Sequence, residues 1–126
     1  MIIRTLGEVM GTDRDINWGN GCSRRLLLEE DNMGFAVMDT FVKAGTESLL
    51  EYKNHLEACY CIEGLGEVES TTGEVYKLFP GVLYALDKND KHFLRADTDM
   101  RLVSIFNPPL HGKESHNLSG NDSSGY

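Results

Sequence analysis

The chain has 126 residues and a mass of 14.1 kDa, a length that fits one domain and leaves little room for two. Hydrophobic residues make up 40% and charged residues 25%, a balance typical of globular proteins and not of disordered chains. The net charge of -8 argues against binding to nucleic acid phosphates and to anionic membrane surfaces.

Strand signals dominate the chain, and turn residues interrupt them every ~8–12 residues. One turn of helix is predicted near the N-terminus, over Leu6–Met10. The predicted strands cover, in chain order, Arg24–Glu29, Phe35–Ala44, Glu57–Glu63, Glu67–Ser70, Val75–Phe79, Val82–Leu86, His92–Ala96 and Arg101–Phe106. Short strands at this spacing indicate an all-β sandwich or barrel with little helix.

The end of the chain departs from this pattern. Asn107–Pro109 cannot continue a central strand, because proline lacks the backbone N–H that a neighbouring strand requires. We expect a single domain over residues 1–116, in which residues 107–116 return over the barrel as a lid. Residues 117–126 are polar, and we expect them to form a disordered tail.

The cysteine content and the absence of long apolar runs predict a cytoplasmic protein. The longest apolar runs are far shorter than the ~20 residues that span a bilayer, and Met1–Glu8 lacks the apolar segment of a secretory signal. Three cysteines are too few, and odd in number, for a disulfide framework. Cys59 and Cys61 alternate on a predicted strand, which favours core packing over a zinc site.

Two spaced motifs carry the candidate chemistry. Their positions are Gly45, Glu51, Lys53, Glu57 and Gly64 in the first motif, and Gly81, Asp87, Asn89 and His92 in the second. These spacings resemble the two motifs of the cupin superfamily, whose members are double-sheet, jelly-roll-like β-barrels that hold a metal inside. Glu51 and Lys53 stand where cupins usually have histidines, whereas Glu57 and His92 keep the remaining ligand types.

Two ligands alone would hold a metal weakly, so we predict Tyr84 as the third. Tyr84 precedes His92 by eight residues, and a hairpin-like reversal between them would place both side chains on one interior face. Phenolate, carboxylate and imidazole form a mixed oxygen and nitrogen site that suits Fe²⁺, with other divalent metals as alternatives. Three protein ligands also leave positions open for a substrate oxygen.

Each of these residues also has a plain structural interpretation. Taken alone, Glu57 would be a solvent-facing strand carboxylate, Tyr84 a packing aromatic and His92 a surface histidine. His55 shares a strand face with Glu57, where it could orient the carboxylate, add a fourth ligand or close the turn at Asn54.

Longer segments resemble one family within the cupins, the ectoine synthases. The matching segments are Met1–Arg4, Tyr52–Ala58, Thr72–Val75, Pro80–Asp87, Phe106–Pro109 and Gly112–His116. The resemblance implies a dimeric, iron-dependent hydro-lyase that cyclises N-γ-acetyl-L-2,4-diaminobutyrate to ectoine, a compatible solute that protects against osmotic stress. The metal ligands of the family are a Glu, a Tyr and a His, which match Glu57, Tyr84 and His92.

The resemblance also assigns residues to the substrate. Those that match its binding pocket are Trp18, Arg25, Thr40, Tyr52 and Phe106, of which Trp18 lies a few residues from the family position. Arg25 would pair with the substrate carboxylate through a bidentate fork. Tyr52, Glu114 and His116 are candidates for proton transfer, and the sequence does not divide the acid and base roles among them.

Two alternatives remain open. The first is an iron-dependent cupin oxygenase, which oxygen consumption would favour. The second is a non-catalytic cupin that binds a small molecule, which metal-free binding without turnover would favour.

Overall fold

The computed structural model describes residues 1–115, and its regular elements are nearly all strands. No helix in this part of the chain has the length and apolar character needed to cross a membrane. In chain order the elements are α1 (Leu6–Val9), β1 (Asp15–Asn17), β2 (Gly21–Leu27), a 3-10 helix (Glu29–Asp31), β3 (Ala36–Val42), β4 (Glu47–Leu50), β5 (Leu56–Glu63), β6 (Gly66–Ser70), β7 (Val75–Leu78), β8 (Leu83–Leu86), β9 (His92–Ala96) and β10 (Met100–Asn107).

The strands form two antiparallel sheets. The larger sheet has six strands in the order β1-β2-β3-β10-β5-β8, and the smaller has four in the order β4-β9-β6-β7. Each sheet contributes apolar side chains to one shared core. Fully buried leucine and methionine side chains each stabilise such a fold by about 1.5–3 kcal/mol. The predicted all-β, double-sheet architecture is therefore confirmed.

The inward-facing residues change from apolar to polar along the central strands. On β10 they run from Met100 and Leu102 to Ser104, and on β9 from Leu94 to His92. Antiparallel pairing of β10 with β5 sets Ser104 opposite Cys59. The polar positions therefore lie toward one end of the sandwich, where buried Phe106 follows Ser104 on β10, while the inward positions nearer the start of β10 are apolar.

The predicted strands all occur, although their ends move by a few residues. The first predicted strand ends early because the backbone N–H of Leu28 donates to Asp31 (2.9 Å), which starts the 3-10 helix. The short strands β1 and β4 were not predicted, since Asp15–Asn17 and Glu47–Leu50 contain few β-branched or aromatic residues.

The expected hairpin between Tyr84 and His92 is wrong. Tyr84 lies on β8 in the larger sheet and His92 on β9 in the smaller sheet, so the connection crosses from one sheet to the other. Within it, Asn89 has a positive φ of 53° and donates to the carbonyl groups of Tyr52 (2.8 Å) and His55 (3.1 Å). These bonds tie the connection to the segment before β5, and the rings of Tyr84 and His92 lie 6.3 Å apart, centroid to centroid.

The chain leaves the sheet after Asn107, as the prolines predict, and then packs back against the sandwich. The carbonyl of Pro108 accepts a hydrogen bond from His55 (2.7 Å), and that of Leu110 accepts one from the backbone N–H of Glu29 (2.9 Å). The Leu110 side chain is fully buried. We call residues 108–115 the C-terminal segment.

Gly64 offers a sharp test of how tightly β5 and β10 are joined. Gly64 and Gly73 have nearly the same φ, +89° and +88°, but a Cβ at Gly64 would lie 2.1 Å from the carbonyl oxygen of Asp99, whereas Gly73 has open space. Both alanine variants bear the cost of a left-handed residue, roughly 1–2 kcal/mol. We expect Gly64→Ala to lower the free energy of unfolding in urea by at least about 2 kcal/mol more than Gly73→Ala does, because its Cβ also crowds the Asp99 carbonyl. Equal losses would contradict the close approach.

Candidate active site

The polar end of the interior encloses a small cavity between the two sheets. Its volume, measured for the centre of a water molecule, is about 20 Å³, which is room for about one water or one metal ion. Its walls are formed by Trp18, Ser23, Thr40, Leu50, Tyr52, Glu57, Cys59, Tyr84, Leu94, Leu102, Ser104 and Phe106. Apolar side chains predominate, and a few polar groups converge among them, as in many small-molecule sites.

Glu57 brings a carboxyl group into this cavity from β5. The side chains of Glu57 and Cys59 both point inward, because every second residue of β5 does so, and Glu57 is only 6% exposed. Burial raises the pKa of Glu57 to about 8, although hydrogen bonding with Cys59 and Ser104 works in the opposite direction. Among residues 1–115 its Oε1 atom has no hydrogen-bond partner, an arrangement that is costly unless a cation or proton occupies that side.

His92 is oriented as a metal-binding imidazole usually is. Its Nδ1 atom lies 2.9 Å from the carbonyl oxygen of Asp90, so Nδ1 carries the proton and donates it. The opposite nitrogen, Nε2, is buried and has no hydrogen-bond partner within the described part of the chain. Burial lowers the pKa of His92, against the effect of the Asp90 carbonyl, so the ring is neutral and Nε2 keeps its lone pair.

Tyr84 approaches the same space from β8. It is paired with Cys59 across the β5–β8 ladder, and its ring centroid lies 6.3 Å from that of His92. Burial raises the pKa of Tyr84 well above its usual value, and the neighbouring ionisable groups of Cys59, Glu57 and Tyr52 act in the same direction. The hydroxyl is therefore protonated until a cation displaces the proton.

The three side chains fit a divalent cation of the iron type. They supply one carboxylate, one phenol and one imidazole, with two buried donor atoms that lack other partners among residues 1–115. Within that range no group of three or more His, Cys, Asp or Glu residues has metal-binding geometry. The candidate set contains only two such residues, Glu57 and His92, and Tyr84 is its third member.

Four of the predicted substrate residues line the same cavity: Trp18, Thr40, Tyr52 and Phe106. The Tyr52 ring packs edge-on against His92 and Phe106, with centroid distances of 5.9 and 5.3 Å. The Thr40 hydroxyl lies 2.9 Å from that of Ser104. The fold thus gathers residues from four separate strands and loops around the proposed ligands.

Arg25 and Glu114 lie together, apart from the cavity lining. Arg25 is fully buried, and its guanidinium donates to the backbone carbonyl of Glu114 and lies 3.8 Å from the Glu114 carboxylate. Burial raises the pKa of Glu114, but hydrogen bonds from the backbone N–H groups of His111 and Gly112, with the charge of Arg25, outweigh it and hold the pKa below its usual value. Glu114 is thus an ionised group. His116 lies outside the described residues.

His55 joins the start of β5 to the C-terminal segment. Its imidazole is hydrogen-bonded to the carbonyl of Pro108 (2.7 Å) and packs edge-on against Phe106. His55 is buried, as Glu57 is two residues later, so the two side chains keep the alternation of a strand. The bond to Pro108 shows that His55 anchors the C-terminal segment, and its role beside the carboxylate stays a prediction.

Sequence reasoning missed three polar residues of the site: Ser23, Cys59 and Ser104. Cys59 had a visible signal, since it follows Glu57 by two residues on a strand and so shares its face. Ser104 had none, because its position beside Cys59 depends on the register of β10 against β5.

Comparisons with known proteins show the family that this chain resembles. A sequence profile described as ectoine synthase matches residues 1–124. The L-ectoine synthase of Oceanobacillus iheyensis is 53% identical over 121 residues, which cover 95% of this chain and 94% of that protein. The crystal structure of ectoine synthase from P. lautus superposes with a TM-score of 0.87 at 55% identity, over 89% of this chain and 81% of that one.

A more distant structure supports the fold alone. A protein with a double-stranded β-helix domain from Klebsiella pneumoniae superposes with a TM-score of 0.65 at 16% identity, over 85% of this chain and 90% of that one. With the P. lautus structure, it confirms the predicted cupin-type fold.

The raised pKa of Glu57 predicts how the stability of the metal-free protein depends on pH. Between the unfolded pKa of 4.5 and the folded value of about 8, the folded chain holds a proton that the unfolded chain has released, so stability falls as pH rises. Glu57→Gln removes this loss. We measure the free energy of unfolding in urea with a chelator present. We expect the value for the variant minus that for the parent to rise by at least about 1 kcal/mol from pH 5 to pH 8. A difference that stays constant with pH would contradict the assignment.

Proposed function

The chain belongs to the ectoine synthase family, a family of lyases, and from that premise we propose that it converts N-γ-acetyl-L-2,4-diaminobutyrate to ectoine and water with ferrous iron as cofactor. The observation that carries the proposal is the set formed by buried Glu57 and His92 with partly buried Tyr84. Its carboxylate and imidazole atoms face the interior without hydrogen-bond partners among residues 1–115. Four of the five residues that the family resemblance assigns to the substrate, Trp18, Thr40, Tyr52 and Phe106, line the cavity that Glu57 and Tyr84 also line.

We assign the iron to Glu57, Tyr84 and His92, with other divalent cations of similar size as alternatives. Carboxylate, phenolate and imidazole are donors that suit iron, and His92 has the neutral form that a ligand requires. When bound, the ion supplies a Lewis acid that polarises the acetamide carbonyl.

The reaction requires two proton transfers, one from the α-ammonium group to a base and one from an acid to the departing oxygen. Ring closure joins the α-amine nitrogen to the acetamide carbon, and the carbonyl oxygen leaves as water with two of the three N–H protons. The α-ammonium group must first lose a proton, since such amines titrate near pH ~8–10. A positioned acid or base contributes ~10²–10⁴-fold to each transfer.

We assign the two transfers to different ends of the site. Tyr52 lines the cavity and packs against His92, so its hydroxyl serves the departing oxygen beside the metal ligands. Glu114 is ionised and lies beside Arg25, so it suits the ammonium group at the other end. His116 remains a third candidate that lies outside the described residues.

We propose that Arg25 binds the substrate carboxylate, which shares a carbon atom with the α-amine. This orientation puts the carboxylate and ammonium at Arg25 and Glu114, and the acetamide at the metal ligands. Arg25 is fully buried and contacts Glu114, so the C-terminal segment has to shift when substrate enters. The cavity of about 20 Å³ is likewise too small for the substrate until its walls separate.

We further propose a cytoplasmic homodimer that makes a compatible solute during osmotic stress. Leu83, Tyr60 and Ile105 are 57%, 44% and 41% exposed on the outer face of β8, β5 and β10, and β8 is an edge strand of its sheet. An apolar face beside an unpaired strand edge favours self-association. The three cysteines carry free thiols, which suits a reducing compartment.

The proposed reaction predicts that anaerobic protein forms ectoine from N-γ-acetyl-L-2,4-diaminobutyrate when ferrous iron is added. Product is followed by chromatography, with and without oxygen, and we expect equal yields. We expect Tyr52→Phe to retain iron and to lose at least ~10²-fold in turnover, because a proton donor is removed.

The matched control is Tyr76→Phe, at an exposed tyrosine on β7. We expect it to turn over like the parent. A strict requirement for oxygen would favour an iron-dependent oxygenase, and binding without any product would favour a non-catalytic cupin. Either result contradicts the proposal.

A further inference from the structure

Cys59 occupies a central place in the site that the proposed reaction does not use. It faces Tyr84 across the β5–β8 ladder and Ser104 across the β5–β10 ladder. It also shares an inner strand face with Glu57, two residues before it. The side chain is 2% exposed and lines the cavity. The thiol is thus surrounded by one proposed ligand on its own strand, another on β8 and a hydroxyl on β10.

A row of hydrogen bonds leads to this thiol across the inner face of the larger sheet. The Thr40 hydroxyl lies 2.9 Å from the Ser104 hydroxyl, which in turn lies 3.4 Å from the Cys59 sulfur. Each member has one proton to donate, so the row is fully satisfied when Thr40 donates to Ser104, Ser104 to Cys59, and the thiol to a final acceptor. Cys59 is hydrogen-bonded to both Glu57 and Tyr84, and we take the Glu57 carboxylate, which also contacts Ser104, as the final acceptor because the Tyr84 hydroxyl is itself a donor.

The two oxygens of Glu57 then have different tasks. Its Oε1 atom has no hydrogen-bond partner within residues 1–115, and the side chain is 94% removed from solvent and lines the cavity. A donor on the other oxygen fixes the carboxylate plane while it leaves Oε1 for a cation. Groups that hold a metal ligand in this way typically change metal affinity by 10–100-fold when they are removed.

We propose that Cys59, supported by Ser104 and Thr40, is a positioning residue that holds Glu57 in its metal-binding orientation. The thiol acts through Glu57 and does not itself bind the cation. This inference rests on the metal set of the proposed function.

The test is a titration of the metal-free protein with Co²⁺ under anaerobic conditions, followed by visible and near-ultraviolet absorption. We expect Cys59→Ala to weaken Co²⁺ binding by 10–100-fold, and Cys59→Ser, which keeps a donor of similar size, to restore most of the affinity. Ser104→Ala should weaken binding in the same direction. It provides a second variant if Cys59→Ala folds poorly.

The matched control is Cys61→Ala. Cys61 is the next inward residue of β5, is 1% exposed, and bonds to the carbonyls of Glu63 and Gly64 at the apolar end. We expect its replacement to lower the thermal stability of the metal-free protein about as much as Cys59→Ala does, and to leave Co²⁺ affinity unchanged. This comparison separates positioning from a general packing defect.

Several results would overturn the inference. They are unchanged Co²⁺ affinity in Cys59→Ala, equal losses in the Cys59 and Cys61 variants, and failure of Cys59→Ser to restore binding. A thiolate-to-cobalt charge-transfer band in the parent that disappears in Cys59→Ser would make Cys59 a ligand instead. If the parent binds no Co²⁺, or if Glu57→Ala binds it normally, the proposed metal set itself fails, and this inference fails with it.

Discussion

Glu57 carries a carboxyl group into the space between two sheets, and the cost of placing a charge there governs the rest of the site. An ionised carboxylate loses several kcal/mol of solvation in such a place unless a counter-charge or hydrogen bonds replace the water. Without metal, the group keeps its proton instead, with a pKa of about 8. With a cation at Oε1, the same burial favours binding, because charge pairs attract more strongly where water is absent. Burial of the carboxyl group therefore both destabilises the fold and favours the cation binding that the proposed function requires.

Stable packing and a polar site are placed at different positions along the same strands. At one end of the sandwich, inward positions are filled by residues such as Met100 and Leu102, and these side chains stabilise the fold. At the other end, β9 and β10 turn polar at His92 and Ser104. Asn89 joins two connections between the sheets at that end, so the polar half is held by specific hydrogen bonds as well as by packing. Residues from both sheets can then meet around one small cavity.

Much of this organisation follows from the sequence, because alternation and motif spacing depend on local order. Glu57 and His92 were predicted from the register of two motifs, and the structure brings them to the same end of the interior as Tyr84. The reasoning for Tyr84 was partly wrong, because a turn between adjacent strands does not reveal whether the strands stay in one sheet. Trp18 lines the cavity although its sequence position differs from the family pattern.

Contacts between distant segments could not be predicted. The bond from His55 to Pro108 joins residues 53 positions apart, and the contact of Arg25 with Glu114 joins residues 89 apart. Both depend on how the C-terminal segment folds back, which no local pattern encodes.

The central claim is that a phenol completes the metal site, and Tyr84→Phe tests it most directly. The change removes one oxygen atom and keeps the ring that packs 6.3 Å from His92, so the fold should survive. The measurement is the ferrous iron content of anaerobically loaded, dialysed protein, with circular dichroism as the check on folding. The account predicts a folded variant that has lost most of its iron. A folded Tyr84→Phe variant with full iron content would contradict it and remove Tyr84 from the ligand set.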